Sequence, residues 1–159
     1  MAEYPLLFRI THSVRSDAFE ALLVADGRAL MAFEDGEWWC HGVEPGGMTE
    51  NGAGPLVAFE RFLLTFRHAL DDLAEECGSY EEFQRDARML FSTDAADESR
   101  WNGALAALRD GMEIEEPFRD MQRIRPRPSV LTIEKLLSFA NAPMKRADVS
   151  DAPALPLAA

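Results

Sequence analysis

Phe19-Glu20-Ala21-Leu22-Leu23-Val24-Ala25-Asp26-Gly27-Arg28-Ala29-Leu30-Met31-Ala32-Phe33-Glu34-Asp35-Gly36-Glu37-Trp38-Trp39-Cys40-His41-Gly42-Val43 is the stretch that decides the fold. Its apolar runs are short, and Asp-Gly falls between them twice, at 26–27 and 35–36. Asp-Gly tolerates the positive φ angles of a two-residue hairpin turn. The expectation is an antiparallel meander with strands at 19–25, 29–34 and 38–43. In the last of these, Trp38 and Cys40 point one way, and Trp39, His41 and Val43 point the other. Only one of the two tryptophans can then enter a helix-covered core. Trp39 is the candidate for a contact surface, because aromatic residues are enriched at interface cores.

Upstream, Tyr4 to Val14 places Leu6, Phe8, Ile10 and His12 on one face and Leu7, Arg9 and Thr11 on the other, a period of two. Downstream, Glu44 to Gly54 is rich in Gly, Pro and Asn and reads as a loop. Pro55 opens a helix at the position where its missing N–H is harmless. Phe59, Phe62, Leu63, Phe66, Leu70, Leu73, Ala74 and Cys77 form its apolar stripe, and Gly78 is its stop. Ser79-x-x-Glu82 is a capping box that starts a second helix with Phe83, Ala87, Leu90 and Phe91 inward. A third helix spans 97–110, with Trp101, Ala104, Leu105 and Leu108 inward. Met112 to Pro128 reads as a crossing segment, Ser129 to Ile133 as a strand, and Glu134 to Asn141 as a short helix. From Pro143 onward the composition of Ala, Pro, Asp and Lys/Arg predicts a disordered tail.

The fold class expected is therefore α+β: an antiparallel sheet covered on one face by helices. One domain would span 1–142, with an acidic helical addition at 79–111 and the tail at 143–159. A chain of 159 residues with 47% apolar content supports one such core.

Charge narrows the function classes. The net charge of −12 opposes nucleic-acid binding and docking on an anionic membrane. Two cysteines make no disulfide framework, the N-terminus has no basic signal-peptide region, and no apolar run approaches a membrane span. A cytoplasmic setting is expected. Between Leu56 and Phe118 there are 15 acidic and 6 basic residues, and four arginines with one aspartate follow between Arg119 and Arg127. An acidic helical layer of this kind is either plain solvation or a docking surface for a basic partner. Its candidate contacts are Asp71, Asp72, Glu75, Glu76, Glu81 and Glu82.

No nucleophile elbow, P-loop or dinucleotide-binding glycine motif occurs, so no catalytic residue is assigned and no cofactor is expected. Cys40, His41, His68 and Cys77 lack the paired spacing of a zinc site and should not converge on one ion. The carboxylates at 71, 72, 75 and 76 share a helix face, but a solvated face is the commoner role. His12 and His41 are expected to be hydrogen-bonded and partly buried, and His68 solvated.

Gly42-Val43-Glu44-Pro45-Gly46-Gly47-Met48-Thr49-Glu50-Asn51-Gly52, followed by Ala58-Phe59-Glu60, resembles the HicB family of bacterial antitoxins. In that family a strand ends in a Pro-x-x-Gly-like turn, a further glycine follows, and a helix begins. Pro45, Gly47 and Gly52 occupy those places, and the resemblance covers about Ala21 to Cys77. It implies a core of three antiparallel strands, a helix and a further strand. It also implies a non-enzymatic role, binding a small basic mRNA-cleaving toxin of the HicA type. The segment after Pro128 is too short for the DNA-binding module such antitoxins often carry. Two other readings stand beside this one. One is an enzyme or small-ligand protein with a pocket near His41 and the 44–54 loop. The other is a homo-oligomer whose acidic helices serve assembly.

Overall fold

The computed structural model describes residues 2–121 and 130–139. Four strands come first: β1 (Glu3–Arg15), β2 (Phe19–Glu34), β3 (Glu37–Glu44) and β4 (Gly46–Gly52). Helices α1 (Pro55–Glu76), α2 (Tyr80–Leu90), α3 (Ala95–Arg109) and α4 (Phe118–Met121) follow, and then β5 (Val130–Ser138). The protein is α+β, with an open antiparallel sheet of five strands.

Its axis is β2. One edge of β2 pairs with β1 along its whole length, from Glu3 opposite Ala32 to Arg15 opposite Glu20. The other edge is divided. β3 takes Arg28 to Glu34, and β5 takes Phe19 to Asp26. β4 then extends the sheet beyond β3.

This arrangement corrects the first expected hairpin. Asp26-Gly27 is not a turn but lies mid-strand, with Asp26 opposite Arg9 and Gly27 opposite Phe8. The residues are there for other reasons. Asp26 accepts from the Arg9 guanidinium, with Nη2 to Oδ2 at 2.8 Å. At Gly27 a Cβ would come within 2.3 Å of the Phe8 ring and 2.5 Å of the Glu44 carbonyl oxygen. Glycine here serves close approach, not a left-handed backbone. The second signal holds: Asp35 and Gly36 have φ of 50° and 85° and close the β2–β3 hairpin.

Two further expectations are corrected by tertiary pairing. The predicted 44–54 loop contains β4, whose Gly and Asn content is poor for strands but which β3 pairs nonetheless. The predicted helix from Glu134 is strand through Ser138, because β2 offers its N-terminal half as a ladder. The expected tail and the arginines at 123, 125 and 127 lie outside the described residues.

The core sits between one face of the sheet and α1. Leu6, Phe8, Ile10, Phe19, Leu23 and Met31 pack with Phe62, Phe66 and Leu70 as expected, while Phe59 and Leu73 are only partly buried against them. Phe8 meets Phe62 edge-on at 5.5 Å between ring centroids, a favoured aromatic geometry. α2 adds Phe83 against Phe19. The expectation that helices cover one face alone is corrected as well. α3 lies on the opposite face, where Trp101 and Ala104 form a separate cluster with Leu30 and Val43. Leu30 and Val43 alternate with the core-facing positions, so their side chains project from the other side of the pleat.

Candidate functional site

The candidate residues divide between the two faces. Trp39 lies on the α3 side of the sheet, stacked on His41 with 12° between ring planes. His41 Nδ1 is 3.3 Å from Thr49 Oγ1, and its Nε2 is 3.3 Å from Glu34 Oε1. Trp38 faces the core side and meets Phe118 there. The strand alternation therefore separated the two tryptophans as expected.

Asp71, Asp72, Glu75, Glu76, Glu81 and Glu82 are on the other side, along the last turns of α1 and the first turn of α2. The structure does not bring Trp39 to them. Asp71 is engaged with His12 of β1, Nε2 to Oδ1 at 2.7 Å, which fastens α1 to the sheet. Glu82 is a capping residue. Its Oε2 accepts from the Gly78 N–H at 2.8 Å, while its own N–H donates to Ser79 Oγ at 3.2 Å. This is the capping pattern expected from Ser79-x-x-Glu82, with the glutamate reaching one residue further back. Asp72, Glu75, Glu76 and Glu81 are exposed, and none has an ion pair among the described residues.

Glu75 and Glu76 also line a cleft of about 740 Å³. Its other walls are Cys77 and Gly78 after α1, and Arg15 to Ala18 in the β1–β2 turn. Ser16 shapes that turn by accepting from the N–H groups of Ala18 and Phe19 at 3.1 and 3.3 Å. Burial pushes the Cys77 thiol up, and the nearby Asp86 and Glu82 carboxylates push it further. A thiol in that state is a poor nucleophile. The turn's part in the cleft was not legible in the sequence, since joining 15–18 to 75–78 needs the β1–α1 packing. A trace was present in His12, an isolated histidine on a core-facing strand.

The metal expectation concerns Cys40, His41, His68 and Cys77. Cys40 is buried on the core side, its thiol pushed up by burial and then by Glu50. His41 points to the other face, and His68 is exposed. Among the described residues no group of three His, Cys, Asp or Glu side chains is placed to hold a metal ion. His41 does not line the 740 Å³ cleft, nor a smaller one of about 240 Å³ bounded by Glu44, Arg88, Phe91 and Leu131. No described helix is long and apolar enough to cross a membrane.

These features define an α+β protein with an acidic, concave end. No family model matches the chain, and no curated protein or solved structure matches it either.

Proposed function

We propose that this chain is a non-enzymatic protein-binding module that docks a small basic protein on the α1–α2 end of its surface. The observation that carries the reading is the run of exposed carboxylates Asp72, Glu75, Glu76 and Glu81, which have no cation within ion-pair distance among the described residues. Carboxylates left in this state cost little while solvated and raise the encounter rate with an oppositely charged surface. The narrower form of the proposal is an antitoxin-like role, with a toxin of the HicA type as the basic partner.

The experiment isolates partners from native lysate and then measures association kinetics of the purified partner at low and high salt. A small basic partner is expected, with association slowing as salt rises, because steering is screened within about 8 Å at physiological ionic strength. Asp72→Lys combined with Glu76→Lys should lower the on-rate several-fold and leave the off-rate nearly unchanged. Kinetics indifferent to both salt and charge reversal would reduce these carboxylates to ordinary solvation.

A further inference from the structure

Glu37 and Trp39 stand two residues apart on β3, so their side chains leave the same face of the sheet. This is the α3 side, but α3 packs further along it, on Leu30 and Val43. Trp39 is partly exposed and Glu37 is exposed. Asn51 lies opposite Trp39 on β4, and its Nδ2 donates to Glu37 Oε2 at 2.6 Å. The three residues form one small surface, a carboxylate beside an indole with an amide bracing the carboxylate.

The cations nearby are engaged elsewhere. Arg100 is bonded to Glu3 and lies 3.9 Å from Glu34, and Glu34 also faces His41 Nε2 at 3.3 Å. Arg61 donates to the Asn51 carbonyl at 2.9 Å. Glu37 has no ion pair among the described residues. His41 is the ring beside Trp39, and the cations that lie over aromatic rings do so at Phe139, Trp101 and Tyr80.

The same face of the sheet shows which group such a surface takes. Arg28 lies over the Trp101 ring while its terminal nitrogens donate to Glu44 and Glu98. A guanidinium does both at once because it is planar, weakly hydrated and carries its donors in the ring-stacking plane. An ammonium is a compact, strongly hydrated charge and does not combine the two. Trp39 and Glu37 repeat the ring and the carboxylate at the surface, and no arginine among the described residues is seated on them.

We propose that Trp39 and Glu37 form a docking point for an arginine side chain of a basic protein partner. The indole takes the guanidinium by cation–π contact, and the Glu37 carboxylate accepts from its N–H groups. Asn51 holds that carboxylate in place. The source of the arginine rests on the protein-binding reading, whereas the preference for a guanidinium does not.

The test titrates two capped tripeptides of equal charge, Gly-Arg-Gly and Gly-Lys-Gly, into the full chain. The Trp39 indole N–H and the Asn51 amide are followed by NMR. Both signals should shift saturably, with the arginine peptide binding roughly threefold to fivefold tighter than the lysine peptide, the margin a surface cation–π contact supports. Trp39→Leu, read at the Asn51 amide, should abolish that preference. Glu37→Gln should weaken arginine binding roughly threefold. Glu37 is exposed beside the hairpin turn, so this variant reads the site even if Trp39→Leu fails to fold. Asp72→Lys with Glu76→Lys should leave the arginine-over-lysine ratio at Trp39 unchanged. Equal affinity for the two peptides would overturn the proposal. So would shifts confined to the end of α1, or arginine binding that Glu37→Gln does not weaken. None of these failures touches the reading of the α1–α2 end, which falls only in the kinetic experiment.

Discussion

On the α3 side of the sheet, Arg9, Arg28 and Arg100 each hold a carboxylate. Around the end of α1, Asp72, Glu75, Glu76 and Glu81 are exposed and have no ion pair among the described residues. Arg28 is the fullest case. Its two terminal nitrogens reach Glu98 at 3.0 and 2.8 Å and Glu44 at 2.9 Å, and its guanidinium lies 5.4 Å from the Trp101 ring centroid. Arg100 Nε adds a bond to Glu3 at 3.0 Å. α3 thus sits on a small apolar cluster locked by ion pairs, while α1 sits on a continuous phenylalanine core and leaves its outer charge unspent. One helix is held by charge that is internally balanced. The other is held chiefly by apolar burial, with Asp71 on His12 as its tie to the sheet.

The largest expected effect breaks the apolar side. Phe66 is completely buried, and Phe66→Ala should lower the unfolding free energy by roughly 3–5 kcal/mol in urea titration. Trp101→Ala should fall at the lower end of that range, about 3 kcal/mol, because its apolar cluster is smaller than the one around Phe66. Its signature is local. Amide exchange should accelerate along 95–109 while the buried turns of α1 stay protected.

Acid sharpens the same contrast. Hydrogen bonds from Arg28 hold the Glu98 carboxyl below its ordinary value of 4.5, with burial opposing them. A carboxyl lowered in the folded state contributes stability fully above its unfolded value, and that contribution is lost as pH falls through the folded value. After correction for intrinsic rates, exchange protection of α3 should therefore fall on acidification before that of α1. Glu98→Gln should flatten the difference. The smallest effect belongs to the unpaired carboxylates. Asp72→Lys with Glu76→Lys should change stability by no more than about 0.5 kcal/mol in thermal melts, on the stabilising side, since lysine suits the negative end of α1.

The amino-acid sequence alone determined the elements whose signal is periodic and local. The α1 stripe, the Ser79 cap, the Asp35-Gly36 turn and the opposed tryptophans all follow from spacing, because 3.6 and 2 residue repeats and left-handed turn positions need no distant partner. The acidic residues near the end of α1 were legible for the same reason, as one exposed helix face. Only the tertiary structure decided the rest. Asp26-Gly27 looks like a turn in isolation, yet it is strand because Phe8 and the Glu44 carbonyl leave room for nothing larger than glycine. Residues 134–138 became strand, and glycine-rich 46–52 became β4, because each was offered an unpaired edge whose hydrogen bonds outweigh weak local preference. The place of α3 on the second face followed from Arg28, Leu30 and Val43, which no pattern within α3 announces. The acidic cleft likewise exists only once His12 and Asp71 bring the β1–β2 turn against the end of α1, two segments about sixty positions apart in the chain.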